Sequence, residues 1–491
     1  MACVHHSLPY PTFLHAHTAT SAARALSGVG RVRIHPLTCP GAEGRSADGP
    51  SPLVEYERIV ERNVQQSRVD DSDKSNKENA KLRKRYMKEG VAMAQRYLAQ
   101  TLGLDVSVAS VEIVLSIDSV LKTDGCLASC FLDAGCSHIV VRVKGGEVAK
   151  ALEACDVTRV PRERLILQWK SGERLFPESV QSQMAAIEER VGTLSIQHTT
   201  PVASEKLEWE ELKTWKQSSK GKDLRCIVQL SFAGDVSIDD LSATVQSISK
   251  VFDEDTGAIS LVDPTATQLG MSYAACLKTD RADGFYPTIV VTRSNEALGL
   301  VYSSKESIIA ALECGRGVYW SRSRGGLWRK GDTSGRHQTL HKIDADCDGD
   351  ALRFMVTQHG EDRKAFCHLD TLSCWGEPNG IRHLEQTLAR RLVDAPAGSY
   401  TKRLFDDDEL LRDKLVEEAQ ELSEAESRQH VAEELADVLY FAMVKATKAG
   451  VSIDDAVVEL DKRSKKVTRR KGDSKAFRIE AGKQILGEKK S

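Results

Sequence analysis

The 491-residue chain is poor in aromatic residues, 5% of the total, and has no surplus of charge of either sign, its formal net charge being -3 at pH 7. A protein built to hold nucleic acid carries a marked basic balance, so that class is disfavoured and only a local basic patch stays open. No run approaches the ~18 consecutive apolar residues of a membrane helix. Cysteine is dilute, 12 residues unevenly spaced. That excludes a secreted disulfide scaffold and points to a reducing compartment with some metal ligation. Acids are missing altogether from the first 42 residues, which hold Arg24, Arg31, Arg33 and five histidines. The bias fits an organelle transit peptide, whereas the apolar core of a secretory signal is missing. A disordered tail is the plainer reading. A cytoplasmic location is expected, with a plastid or other organelle as the alternative.

The chain is too long for one core, since single cores stop growing near ~250 to 300 residues. A multidomain fold is expected, with an α/β N-terminal domain, a mostly β domain and an all-α domain in that order. Residues 107–172 alternate short β-branched runs (VEIVL, SHIVVRV, RLILQ) with helical patterns (LASCFLDAG, GEVAKALEAC), and CIVQLSF at 226–232 extends the series, which is the language of βαβ units. Cys126, Cys130, Cys136 and Cys155 in this half lack histidines at ligand spacing and read as buried structural thiols. Residues 281–376 turn to strands (YPTIVVT, ALGLVYS, GVYWS, GLWRKG, ALRFMVTQ) around one helix, KESIIAALECG. Helical periodicity follows at 382–393, 408–425, 429–449 and 452–466. The expected divisions are 1–75, a disordered or targeting extension; 76–275, an α/β domain; 276–378, the β domain; 381–474, the helical domain; and 475–491, a tail.

Residues 344–351 read DADCDGDA. Asp346, Asp348 and Asp350 recur at period two, so an extended strand would aim their carboxylates at one face. Oxygen ligands alone select a hard divalent ion such as Mg2+. Cys347 would point the other way; two more cysteines follow at Cys367 and Cys374, and three thiolates suit Zn2+ with a fourth position left for water. A solvated Asp/Gly turn is the plain alternative. An EF-hand is not, because the twelfth residue from Asp344 is Met355 rather than a bidentate Glu. Upstream, Ser321, Arg322 and Arg324, then Trp328 and Lys330, then Thr333 and Ser334, combine basic forks, hydroxyls and glycines that suit phosphate groups.

A second acidic constellation lies in LRDKLVEEAQELSEAE and EELADVLYF. Glu418 sits at the margin of the apolar stripe Leu411, Leu415, Ala419, Leu422, with Glu421 one step further round; Glu434 and Asp437 flank a second stripe. The short polar link SEAESRQH lets the two helices pack antiparallel and bring four carboxylates to one edge of a helical core. Mg2+ there would carry a polyphosphate. Acids on an exposed helix face are otherwise ordinary, but here Lys414, four residues before Glu418, is the one base at that spacing.

GFYPTIVV, LGLVYSS, GRGVYWSRSRGGLWRKGDTSG, DADCDGDAL and CHLDTLSCWG, in that order over 281–376, closely resemble phosphoribosyl-AMP cyclohydrolase of histidine biosynthesis. The resemblance implies Mg2+ at Asp346, Asp348 and Asp350, Zn2+ at Cys347, Cys367 and Cys374 shared across a dimer interface, and opening of a purine ring by water. His368 matches the family's histidine beside the second cysteine and is the candidate proton carrier, as imidazole titrates near neutral pH. The spacing of the second constellation fits the E-E-x-x-E … E-x-x-D pattern of all-α nucleotide pyrophosphohydrolases. With LEQTLARRL, SYTKRLF and KVTRRKGD, residues 383–472 resemble phosphoribosyl-ATP pyrophosphohydrolase. That implies Mg2+ on Glu417, Glu418, Glu421, Glu434 and Asp437, catalysis by Glu418 and Glu421, and screening of the triphosphate by Lys402, Arg403, Arg469 and Arg470. Arg469 and Arg470 read equally well as an exposed basic tail. The product of the second family's reaction is the substrate of the first. Residues 100–275 resemble the N-terminal region of the fungal multifunctional histidine enzyme, which implies no activity, and the histidinol dehydrogenase of that enzyme is not expected here. The expectation is a homodimeric bifunctional hydrolase of nucleotide substrates that binds neither nucleic acid nor membrane. A general nucleoside triphosphate pyrophosphohydrolase with a zinc-binding β domain, and a zinc-stabilised binding module without turnover, stand as alternatives.

Overall fold

The computed structural model describes residues 11–16, 31–34, 85, 87–96, 98 and 110–488, apart from 144–145, 173, 201–207, 218–223, 233–236, 250, 252–256, 262–265, 347, 361–363 and 469–475. It divides into two compact units, residues 1–366 with 462–468, and 367–461 with 469–491.

The first unit opens with eight parallel strands: β1 (Pro11–Ala16), β2 (Arg31–Ile34), β3 (Ser110–Leu115), β4 (His138–Arg142), β5 (Leu165–Lys170), β6 (Thr193–Thr200), β7 (Arg225–Phe232) and β8 (Gly257–Leu261). Each pairs with the next, and β8 pairs with β1, so the sheet closes into a barrel. Helices occupy the connections, among them α1 (Ile117–Lys122), α2 (Cys126–Asp133), α3 (Val148–Thr158), α4 (Met184–Arg190), α5 (Glu208–Gln217), α6 (Ile238–Ser249) and α7 (Ala266–Cys276). Strands of such a sheet are covered on both faces. One alternating set, including Ile113, Leu115, Ile139, Val141, Leu167, Ile196, Val228 and Leu230, is buried and belongs to the helix side, where Trp169 meets Phe176. The other set meets inside the barrel, because Val114, Val140, Ile166 and Ile227, from four different strands, form one buried cluster. Cys126, Cys130, Cys136 and Cys155 are buried and form no disulfide, as expected. Burial pushes the Cys136 and Cys155 thiols up to about 12, against nearby cations.

The barrel revises the reading of the N-terminus. β1 and β2 fall inside the stretch 1–75, for which composition suggests a disordered or targeting extension, yet Pro11–Ala16 and Arg31–Ile34 are strands. They fill the gap between β8 and β3. Without them both outer strands would present unpaired backbone groups, the liability that closure abolishes.

The same unit continues into a four-stranded sheet of order β10-β9-β14-β13, built from β9 (Tyr286–Val291), β10 (Ala297–Ser303), β13 (Gln338–Ala345) and β14 (Leu352–Gln358), and a hairpin of β11 (Val318–Ser321) with β12 (Gly326–Arg329). Helix α8 (Lys305–Cys314) starts at a capping box formed by Ser304 and Ser307. Tyr319 and Phe354 fill the core. β13 was not signalled by the sequence, its polar QTLHKIDA lacking a clean apolar alternation.

The second unit is helical: α9 (Gly380–Val393), α10 (Tyr400–Asp406), α11 (Asp408–Glu424), α12 (Arg428–Lys448), the greater part of α13 (Ile453–Ser464), and α14 (Ala476–Glu488). Its core is Leu388, Leu404, Phe405, Leu411, Phe441, Met443 and Val444. Asp407 caps α11 through the N–H groups of Glu409 and Leu410, and Ser427 caps α12 through that of His430. Helices α11 and α12 run antiparallel, for Asp408 at the start of one meets Lys445 and Lys448 at the end of the other.

Candidate active sites

In the β region of the first unit, Asp346, Asp348 and Asp350 do not lie on an extended strand. β13 ends at Ala345, and Asp346 and Asp348–Asp350 lie in the turn into β14. Asp346 Oδ1 accepts the backbone N–H groups of Gly349, Asp350 and Ala351 at 3.0, 3.0 and 3.1 Å, and Gly349 takes the positive φ of 78° that this turn requires. The period-two geometry is therefore replaced by an Asx-type turn, yet the outcome is the same. Asp346, Asp348 and Asp350 bring carboxylate oxygens within 4.8 Å of one another. The hydrogen bond to Asp346, then burial and the charges of Asp346, Asp348 and Asp280, hold the Asp350 carboxyl above the usual carboxylate range. Crowded all-oxygen donors of this kind fit a hard cation. Asp344 stands apart, paired with Lys342 at 2.6 Å and Arg353 at 2.8 Å. Cys347 lies outside the described residues.

The expected phosphate-facing residues divide. Ser321, Arg322 and Arg324 sit at the β11–β12 turn, where the Arg322 guanidinium covers the Tyr302 ring at 3.8 Å and shares it with Arg281. Thr333 and Ser334 are exposed on the loop into β13. That loop folds so tightly at Gly331, φ 93°, that a Cβ would lie 2.3 Å from the His337 nitrogen. Trp328 packs on Tyr319. Lys330 departs from expectation: it is buried, donates to the Phe366 carbonyl at 2.7 Å and lies over the Trp328 and Phe366 rings. Its charge supports the segment leading into the cysteine motif.

In the second unit, Cys367 is buried, Cys374 exposed, and the exposed His368 places Nδ1 3.8 Å from Cys367 Sγ. The backbone N–H of Leu369, joined by the Thr371 hydroxyl, Cys374 and the N–H of His368, holds the Cys367 thiol below its ordinary value against the upward push of burial. A lowered thiol favours the thiolate, the form of cysteine that can ligate a metal.

On α11 and α12, Glu418, Glu434 and Asp437 place carboxylate oxygens within 4.8 Å of one another. Glu418 is 5% exposed. Lys414 Nζ reaches Glu418 at 2.7 Å and Glu417 at 3.0 Å, and His430 reaches Glu434 at 3.2 Å. Burial draws the Lys414 ammonium down, but its bonds to Glu418 and Glu417 outweigh this and hold it above the usual lysine value. Glu421 is exposed beside the cluster rather than in it, and burial, then the charges of Glu418, Glu434 and Glu417, raise its carboxyl. Glu417 turns to Lys414. Among the described residues Glu434 Oε2 is buried without a hydrogen-bond partner. Lys414 is the functional residue that sequence reasoning underused; its i, i+3 and i+4 spacing to Glu417 and Glu418 was the signal. Lys402, held by Asp406 at 3.1 Å, and Arg403 line a groove of about 900 Å³ with Ser399 and Asp406–Glu409, none of the clustered carboxylates among its walls. Arg469 and Arg470 lie outside the described residues.

Comparison with known proteins agrees with this division. The phosphoribosyl-AMP cyclohydrolase family model matches residues 299–376, and the phosphoribosyl-ATP pyrophosphohydrolase model matches 381–464. The histidine biosynthesis bifunctional protein his7 of Schizosaccharomyces pombe is 54% identical over 197 residues, 40% of this chain and 46% of that protein. The histidine biosynthesis trifunctional protein of Kluyveromyces lactis is 52% identical over 200 residues, 40% of this chain and 25% of its own. The chain thus spans less than half the length of these fungal relatives. The histidine biosynthesis bifunctional protein HisIE of Pyrococcus furiosus is 35% identical over 201 residues, which make up 38% of this chain and 94% of the archaeal protein. Covering that relative almost end to end at 35% identity, the chain belongs to the histidine biosynthesis bifunctional HisIE family.

Proposed function

We propose that the chain carries out two consecutive hydrolyses: phosphoribosyl-ATP to phosphoribosyl-AMP and pyrophosphate on the helical unit, then opening of the purine ring of phosphoribosyl-AMP at the Asp and Cys motifs. The observation that carries the first is the antiparallel pairing of α11 with α12, which gathers Glu418, Glu434 and Asp437 within 4.8 Å around a buried carboxylate oxygen that has no hydrogen-bond partner among the described residues. When bound, Mg2+ on the carboxylate clusters would neutralise phosphate charge, and Zn2+ on Cys347, Cys367 and Cys374 would act as the Lewis acid that makes water nucleophilic at neutral pH. The chain's own groups do the rest. Glu421, its carboxyl raised by burial and then by its acidic neighbours, is placed to take a proton from the attacking water. Lys414 turns from Glu417 and Glu418 to the phosphate oxygens once a cation takes over its neutralising role. At the ring-opening site Arg322 and Arg324 grip the substrate phosphate, and the His368 imidazole carries the proton to the departing ring nitrogen.

A homodimer is part of this reading. Val431, Leu435 and Leu439 are exposed on one stripe of α12 at i, i+4, i+8, an apolar face of the kind helices bury against a second copy. No described helix is long and apolar enough to cross a membrane, and the buried cysteines, which form no disulfide, suit a reducing compartment such as the cytoplasm.

Phosphoribosyl-ATP followed by mass tests the assignment. Cys374→Ala should accumulate phosphoribosyl-AMP with pyrophosphate release intact, and Glu434→Ala should block the first step while leaving supplied phosphoribosyl-AMP to be opened. Preference for common nucleoside triphosphates over phosphoribosyl-ATP, or loss of neither step in the two variants, would overturn it.

A further inference from the structure

Both matched family regions lie outside the barrel, but its interior is not that of a purely structural core. Parallel barrels fill the lumen with branched apolar side chains, and the barrels that are enzymes place their chemistry at the C-terminal ends of the strands. Here the apolar cluster of Val114, Val140, Ile166 and Ile227 gives way, two residues further along three of its strands, to Arg142, Gln168 and Gln229. Gln168 and Gln229 are completely buried. Arg142 Nε donates to Gln168 Oε1 at 3.2 Å, and Gln168 Nε2 donates to Gln229 Oε1 at 2.6 Å. The direction of this relay is forced. Arginine can only donate, so the oxygen of Gln168 must face it and its nitrogen must face Gln229, whose own nitrogen is left over. Among the described residues Gln229 Nε2 has no hydrogen-bond partner, and buried amide donors are rarely left so.

One more step toward the mouth, the same faces carry Lys170 on β5, Gln197 and Thr199 on β6 and Ser231 on β7. Lys170 and Thr199 are exposed, and the Thr199 and Ser231 hydroxyls meet at 2.8 Å. The described lumen-facing positions of β4 to β7 hold no carboxylate. Two cations, an unspent amide donor and a set of hydroxyls and amides therefore converge where such barrels bind ligands.

We propose that the C-terminal mouth of the barrel binds a small sugar phosphate, with the phosphate at Arg142 and Lys170 and the polyol against Gln229, Gln197, Thr199 and Ser231. Guanidinium and ammonium groups select the phosphate dianion. The amides and hydroxyls select hydroxyl-bearing carbon over a bare anion, and Gln229 Nε2 gains its acceptor.

Titration calorimetry on the full chain with ribose 5-phosphate, inorganic phosphate and ribose tests this. Ribose 5-phosphate should bind, inorganic phosphate more weakly and ribose not at all. Arg142→Met, Gln229→Leu and Lys170→Ala should each weaken ribose 5-phosphate by about tenfold or more, as loss of a charged or buried hydrogen bond does, with both hydrolytic rates unchanged. Lys170 is exposed, so Lys170→Ala decides the matter even if the two lumen variants fail to fold. No binding by the unmodified chain, or binding unaltered in Lys170→Ala and thus belonging to the hydrolytic units, would overturn the proposal. Equal affinity for inorganic phosphate and ribose 5-phosphate would refute its polyol half.

Discussion

Lys414→Met isolates the electrostatics of the pyrophosphohydrolase cluster. Lys414 is the cation that pairs with both Glu417 and Glu418 on α11, at 3.0 and 2.7 Å, and its ammonium also lies 5.5 Å from the Phe441 ring centre. Methionine keeps the length and the packing on Phe441 while removing the charge. Glu418, whose side chain is 7% exposed, is then left beside Glu434 and Asp437 with no ammonium to offset them. Removing one partner of a fully buried pair costs about 3–5 kcal/mol. Lys414 keeps 24% of its side-chain exposure, and solvent screens part of the interaction, so roughly 2 kcal/mol is expected.

The sign of the response to Mg2+ is the informative part. A divalent ion on Glu418, Glu434 and Asp437 would supply the missing positive charge, so the cost should shrink to well under half when Mg2+ saturates. Amide hydrogen exchange read by mass over 408–448 reports this unit separately from the barrel. Without divalent ions, protection on α11 and α12 should fall about 30-fold in Lys414→Met, the equivalent of ~2 kcal/mol, and Mg2+ should restore most of it. The same loss of protection with and without Mg2+ would show that Lys414 and the cation do not answer to the same carboxylates, and the cluster would lose its role as a metal site.

Two further outcomes follow from particular contacts. Leu435→Glu puts a charge in the centre of the exposed stripe Val431, Leu435, Leu439, so sedimentation equilibrium should show the dimer weakened by ~100-fold or more, burial of an unpaired carboxylate costing several kcal/mol; an unmodified chain that is already monomeric would remove the basis for it. His359 stacks on His337 with ring centres 4.6 Å apart, and burial, then the charges of His337 and Lys364, hold its imidazole below the ordinary value. The unfolded chain takes up that proton first, at about pH 6.5. Stability should thus be full above that pH and decline as pH falls from there toward the depressed folded value. His359→Gln should flatten this decline in urea midpoints measured from about pH 7.5 down to about pH 5.5, and an equally steep decline in the variant would refute the assignment.

The helical unit was legible almost to the residue. The expected 408–425 and 429–449 are Asp408–Glu424 and Arg428–Lys448, because apolar periodicity and the caps Asp407 and Ser427 are local signals. Tyr400–Asp406 escaped notice as a helix, since two turns capped by Ser399 are too short to show a period. The barrel was half legible. β3, β4, β5 and β7 announced themselves by apolar runs, but closure is a property of eight strands at once. β6 is the polar TLSIQHTT and β8 the short GAISL. Gln168 and Gln229 interrupt the apolar reading because they serve the lumen rather than the helix side.

The two carboxylate clusters show what a spacing pattern can and cannot convey. DADCDGDA and E-E-x-x-E … E-x-x-D both specify which acids meet, and the acids do meet, although the first does so through a turn and only part of the second comes together. What the pattern leaves out is the donor that makes each crowd tolerable. In the turn it is three backbone N–H groups on Asp346; between the helices it is Lys414 on Glu418. In both places one acid is anchored by the protein and its neighbour, Asp350 or Glu421, is left with its carboxyl raised. A cation among these carboxylates would relieve part of that crowding, since it would offer each oxygen the positive charge that its neighbours cannot give one another. Crowding that costs stability without an ion is thus the arrangement a metal site would need, and here a hairpin turn reaches it as well as a pair of helices does.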